Sequence, residues 1–144
     1  MSKYLVGAAI ALFGGMAAAS VAAAPHTEHW IATSRTAIAI TGDIDLSPTR
    51  LSAAGKQLPL AIAADLPAFG GLFGPVAARV LRVTRPSDPL LRNRNRLCGK
   101  PVRWIVVYRS DAGASLNLAA YAGSAMPVRE DDNGLCGTFL YSRP

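Results

Sequence analysis

A length of 144 residues with two cysteines describes one domain, large enough to bury a single core without metals or many disulfides. Fifteen Lys and Arg against nine Asp and Glu give a net charge of +6, which favours anionic partners over cationic ones.

The first 24 residues carry one cation, Lys3, then an apolar stretch from Tyr4 to Met16 and a run of alanines to Ala24. That is the layout of a secretory signal peptide, too short and too rich in Gly and Ala for a membrane span. Residues 1–24 are read as the leader, with cleavage after Ala22 or Ala23, and residues 25–144 as a single β domain. An uncleaved N-terminal anchor is the lesser alternative. No cysteine lies near the cut, which excludes a lipoprotein anchor. The expected location is periplasmic or secreted, and no membrane span is expected once the leader is removed. Without Lys3, fourteen cations and nine acids leave +5.

Pro25 to Trp30 is polar and reads as a fraying end. Thr36, Ile38 and Ile40 alternate with Ala37, Ala39 and Thr41, which predicts a strand, and Asp43-Ile44-Asp45-Leu46 resumes the alternation after Gly42. Ala53-Ala54-Gly55-Lys56 reads as a hairpin turn leading to a strand with Leu58, Leu60 and Ile62 on one face. Leu66 to Pro75, with three glycines and two prolines around Phe69, Leu72 and Phe73, reads as a loop with apolar anchors. Val76 to Arg85 has helical spacing of Arg79, Arg82 and Arg85 but strand-forming valines, and is assigned as strand.

Pro86 to Gly99, with the run Arg92-Asn93-Arg94-Asn95-Arg96, predicts an irregular excursion. Val102, Trp104, Val106 and Tyr108 then alternate with Ile105 and Val107 in a central strand. Ser110 to Ala114 turns the chain into a strand with Leu116, Leu118, Ala120 and Ala122 facing inward. Gly123 to Gly134 reads as a polar loop, and Thr138 to Tyr141 as the last strand. About seven short strands and no long helical stretch predict an all-β fold: a small antiparallel meander closed as a barrel or folded as a sandwich. A membrane barrel does not fit, since strands of about ten residues are too few and aromatic girdles are missing.

The phrase N-x-L-C-G occurs twice, at Asn95 to Gly99 and Asn133 to Gly137, and holds both cysteines. In an exported chain Cys98 and Cys136 should pair, at two similar chain bends. In a meander both begin parallel strands at one end. Strands flanking a middle one lie about 9.6 Å apart, while bridged Cα atoms sit at roughly 4.4–6.8 Å. One cysteine must therefore leave its strand.

Chemistry-bearing constellations are few. An amino-terminal copper site around His26 fails because Pro25 has no amide proton to lose, and His26 with His29 would make a weak metal site. No G-x-S-x-G is present. Asp43 and Asp45 share a strand face without sugar-binding aromatics, and Glu130 to Gly134 lacks calcium-loop spacing. No enzyme activity, cofactor or metal is expected. The strongest signal is electrostatic: from Arg79 to Arg109 nine cations face one acid, Asp88. The candidate anion-binding residues are Arg79, Arg82, Arg85, Arg92, Arg94, Arg96, Lys100 and Arg103, with the alternative that they form a solvated rim.

The phrases T-G-D-I-x-L-S-P (Thr41 to Pro48), N-R-L-C-G (Asn95 to Gly99) and L-C-G-T-F-x-Y (Leu135 to Tyr141) resemble those of small exported proteobacterial proteins of unknown function, which carry no activity to transfer. In outline the chain is similar to lipocalin-like and lysozyme-inhibitor-like periplasmic barrels, although a basic patch would repel a basic lysozyme. The resulting expectation is a non-enzymatic exported domain that binds an anionic or amphipathic envelope component: an anionic lipid or an acidic protein, not nucleic acid. The alternatives are a small hydrolase with an unrecognised site and an accessory subunit that binds a protein partner.

Overall fold

A computed structural model describes residues 26–144 together with residues 14, 15, 17 and 18. Apart from those four, the leader expected over residues 1–24 lies outside the described residues. Eight antiparallel strands close into a barrel in chain order: β1 Glu28–Ala32, β2 Ile44–Ser47, β3 Arg50–Ala53, β4 Lys56–Gly71, β5 Gly74–Ser87, β6 Val102–Ser110, β7 Ser115–Tyr121 and β8 Leu135–Ser142. Closure comes from β1 against β8, with Ile31 opposite Ser142 and Ala32 opposite Tyr141. The barrel alternative to a sandwich is therefore the observed one, and among the described residues no open edge strand remains.

Period-two alternation fills the interior. Trp30, Ile44, Leu46, Leu51, Leu58, Leu60, Leu81, Ile105, Leu116, Leu118, Phe139 and Tyr141 form one buried cluster from all eight strands. A β-bulge between Ile62 and Ala64 shifts the phase of β4. Beyond it Asp65 faces the barrel opening, opposite Arg79, while Ala64 and Leu66 turn to the outer wall. There a second core forms from Phe69, Ala78, Val80, Val106, Ala119 and Tyr121.

That outer core is covered by residues 122–134, a strap rather than the plain polar loop expected. It climbs the wall from β7 and reaches the tip of β4, where the Gly70 amide donates to the Val128 carbonyl at 3.0 Å and the Glu130 amide donates to the Gly70 carbonyl at 2.8 Å. Trp104 Nε1 donates to the Gly123 carbonyl, and the Tyr121 hydroxyl lies within hydrogen-bond distance of the carbonyls of Arg129 and Glu130. At its neck the Ala122 amide donates to the Gly134 carbonyl at 2.8 Å. Gly134, at φ +90°, has Gly123 so close behind it that no side chain fits.

Other sequence expectations give way as well. Of the fraying end expected over Pro25 to Trp30, Glu28 to Trp30 belong to β1, because Trp30 fills the interior and Glu28 finds a cationic partner, and Pro25 lies outside the described residues. Residues 36–41 are not a strand: Ala37–Thr41 form a π-helical turn, closed by the Gly42 amide donating to the Ala37 carbonyl and begun by Ser34, whose hydroxyl accepts from the Ala37 amide. The turn covers the barrel floor, where Ala37 and Thr41 are buried and Thr41 Oγ1 lies 2.8 Å from the Tyr141 hydroxyl. The loop expected over Leu66 to Pro75 is instead the end of the β4–β5 hairpin, turning at Leu72 and Phe73.

Candidate functional site

Strand polarity sorts the connections onto two ends. The floor holds the π turn, the β3–β4 turn and the long β5–β6 excursion. The mouth holds the β2–β3, β4–β5 and β6–β7 turns and the start of β1.

The excursion is a cap, and its form follows from its polar residues. Leu91 and Leu97 point into the inner core. Between them the chain closes a tight loop, with the Leu91 amide donating to the Asn95 carbonyl and the Asn95 amide donating to the Arg92 carbonyl, both at 2.8 Å. Asn93 and Asn95 both donate their side-chain amides to the Ala39 carbonyl, at 3.1 and 3.2 Å, fastening the cap to the π turn. Asp88 Oδ1 accepts from the amides of Leu97 and Cys98, and Arg96 donates to the Asp88 carbonyl. The one acid of this segment is thus spent on backbone.

Cys98 and Cys136 are bonded, with Cα atoms 4.8 Å apart. Cys98 precedes β6 and Cys136 lies in β8, so one cysteine does leave its strand. The two N-x-L-C-G phrases are not equivalent bends, however. Gly99 has φ +71° at a true bend, and Leu97 is 5% exposed; Gly137 is in β8, and Leu135 is 40% exposed.

Seven of the eight candidate cations share the closed half of the barrel: Arg82 and Arg85 on β5, Arg92, Arg94, Arg96 and Lys100 on the cap, and Arg103 at the start of β6. All seven are exposed, and among the described residues none makes an ion pair. Arg79 lies apart, near the mouth, with Nε and Nη2 on the two oxygens of Asp65 at 2.7 and 3.2 Å. With Arg35 and Lys56, the closed half carries nine cations against Asp43 and Asp88. The mouth half carries Arg50, Arg79, Arg109, Arg129 and Arg143 against seven acids. The domain's +5 is therefore a difference between about +7 at the floor and −2 at the mouth. A nine-residue strand spans about 30 Å and the Debye length at physiological salt is about 8 Å, so the two ends act on separate surroundings. Composition revealed the cations; only topology reveals that Arg79 leaves them.

Backbone strain sits in the same cap. Asn93 and Arg94 have φ of +52° and +60°, successive left-handed residues without a glycine. Asn tolerates this, but for Arg94 it costs roughly 1–2 kcal/mol, offset by the asparagine bonds and the disulfide.

The mouth opens into a cavity of about 800 Å³ whose apolar lining from the inner face is Leu46, Leu81, Val107 and Leu116. Arg109 Nη2 lies 2.7 and 2.6 Å from the two carboxylate oxygens of Glu28, which also accepts from Trp30 Nε1 at 3.3 Å. Burial pushes Glu28 up, but the Arg109 hydrogen bond and charge, with Trp30 and Arg143, outweigh it and hold the carboxyl below its ordinary value. The Arg79 hydrogen bond holds Asp65 down likewise, against a smaller opposing effect of burial. Arg109 and Arg143 both lie over the Trp30 ring, 5.4 and 5.2 Å from its centroid.

No family model, no curated protein and no solved structure matches the chain.

The other sequence candidates are dispersed. His26 lines the mouth, while His29 stands on the outer wall with Nδ1 2.8 Å from Asp45 Oδ1. Asp43 accepts from the Ala32 amide, Glu130 from the Tyr108 hydroxyl, and Asp132 from the amides of Val128 and Arg129. Asp43, Asp45 and Glu130 are not among the residues that line the cavity. Among the described residues no group of three or more His, Cys, Asp or Glu is arranged to hold a metal ion, and no helix is long and apolar enough to cross a membrane. Sequence reasoning missed the mouth, because Glu28 and Arg109 meet only on closure of the barrel, which also sets them on the same rim as the hairpin pair Asp65 and Arg79.

Proposed function

We propose that the chain is an exported, non-enzymatic binding domain that docks through its closed end onto an anionic component of the cell envelope, an anionic lipid surface. The observation that carries this reading is the concentration of exposed, unpaired cations on a cap that the disulfide, two asparagines and Asp88 hold in one shape. Pre-organisation matters because ordering a flexible arginine loop on binding would consume affinity. Each cation near an anionic bilayer contributes about 1 kcal/mol.

Replacing Arg92, Arg94 and Arg96 by Ser removes three such contributions. Affinity for phosphatidylcholine vesicles containing phosphatidylglycerol should fall by roughly two orders of magnitude. Co-sedimentation measures it. The unaltered protein should bind at low salt, release at high salt, and ignore pure phosphatidylcholine. Binding that is the same at both salt concentrations, or the same in the triple variant, would sink the reading. Stronger retention by an acidic protein than by these vesicles would favour the accessory-subunit alternative.

A further inference from the structure

We propose that the mouth of the barrel is a second binding site, for a single-chain amphiphile with a zwitterionic head, independent of the basic cap. Its volume of about 800 Å³ falls in the range of small-molecule sites, roughly 300–1,000 Å³. The walls are aliphatic where the cavity runs into the barrel, and charged groups are confined to its rim, so a chain lies below and a polar head above.

The rim fixes the kind of head. Two carboxylates and two guanidiniums contribute there, Glu28 with Arg109 and Asp65 with Arg79, and their charges cancel. Asp65 and Arg79 face each other across β4 and β5. Arg79 is opposite Val107 on β6, and Arg109 is the next inward residue along that strand. The Arg109–Glu28 pair then reaches past β7 and β8 to β1. The two guanidiniums thus sit on the adjacent strands β5 and β6, flanked by Asp65 on β4 and by Glu28 on β1, so each cation has a carboxylate beside it. A purely anionic head gains from the arginines and loses to the carboxylates beside them, while a head with both signs matches each pair. The hairpin tip at this end, Leu72 and Phe73 at 73% and 99% exposure, extends the apolar surface outward.

The test is calorimetric titration of the protein with octyl, decyl and dodecyl phosphocholine below their micelle concentrations. Affinity should rise about fourfold per added methylene, the value expected when each enters an apolar site, and alkyl sulfates of equal length should bind more weakly. Ala77 lines the cavity and is exposed, so Ala77→Trp fills it without disturbing the core. This variant should lose at least tenfold in affinity, and the Arg92→Ser/Arg94→Ser/Arg96→Ser protein should bind phosphocholines as before. No saturable binding, no dependence on chain length, or equal binding by Ala77→Trp would overturn the proposal. Alkyl sulfate binding that is stronger and lost in the triple variant would also overturn it, by assigning amphiphiles to the cap. Failure of the vesicle experiment alone leaves this site standing, because the two sites share no residue.

Discussion

A Cys98→Ser/Cys136→Ser protein should lose about 4 kcal/mol of stability, read from the urea midpoint at constant slope, because the bond closes a loop of 38 positions. The loss should be unevenly distributed. Without the bond the cap keeps the asparagine contacts to Ala39 and the Asp88 contacts, yet no covalent tie holds it against β8. Amide exchange should therefore quicken first across residues 88–101, then at the strap neck around residues 133–137, and last in the β6–β7 hairpin. The strap itself has its own bonds to Gly70 and should persist longer than the cap. A loss under about 1 kcal/mol with unchanged protection of residues 88–101 would show that the bond does not hold the cap.

Phe69→Ala should cost about 3–5 kcal/mol, as expected for an aromatic side chain removed from a packed interior. Phe69 is fully buried between the hairpin and the strap, with its ring 6.2 Å from that of Tyr108. Its loss empties the centre of the outer core and frees the strap from β4, so faster exchange at residues 122–134 should accompany the drop. Phe73, four residues along and 99% exposed, is the internal control. Phe73→Ala should change stability by less than about 0.5 kcal/mol. Equal effects of the two substitutions would contradict the two-core description.

Period-two alternation made most of the barrel legible. Ile105 and Val107 against Trp104, Val106 and Tyr108 marked β6 as buried on both faces, and Leu116, Leu118 and Ala120 marked the inward face of β7. Alternation misled at residues 36–41, where Ser34 and the Thr36 hydroxyl, donating to the Thr138 carbonyl, favour a turn that no period reveals. It stopped short at Leu66, because a bulge breaks the phase and because Gly70, Gly71 and Gly74 read as a loop while lying in paired strands. The disulfide was legible from compartment and spacing, but the inequality of its two flanking phrases was not. Leu97 and Leu135 are the same residue type in the same local phrase, and only the fold decides which is buried. The cations of the cap were visible as a run. That Arg79 joins the opposite end, and that a charge-balanced cavity lies there, depends on contacts between residues as far apart as Glu28 and Arg109.

Amide exchange on protein bound to phosphatidylglycerol-containing vesicles tests the polarity of this molecule most directly. Docking by the closed end predicts new protection across residues 35–42 and 88–101, with no change at the hairpin tip around Leu72 and Phe73. New protection at the tip with an unchanged cap would mean that the mouth meets the membrane, and would contradict the account.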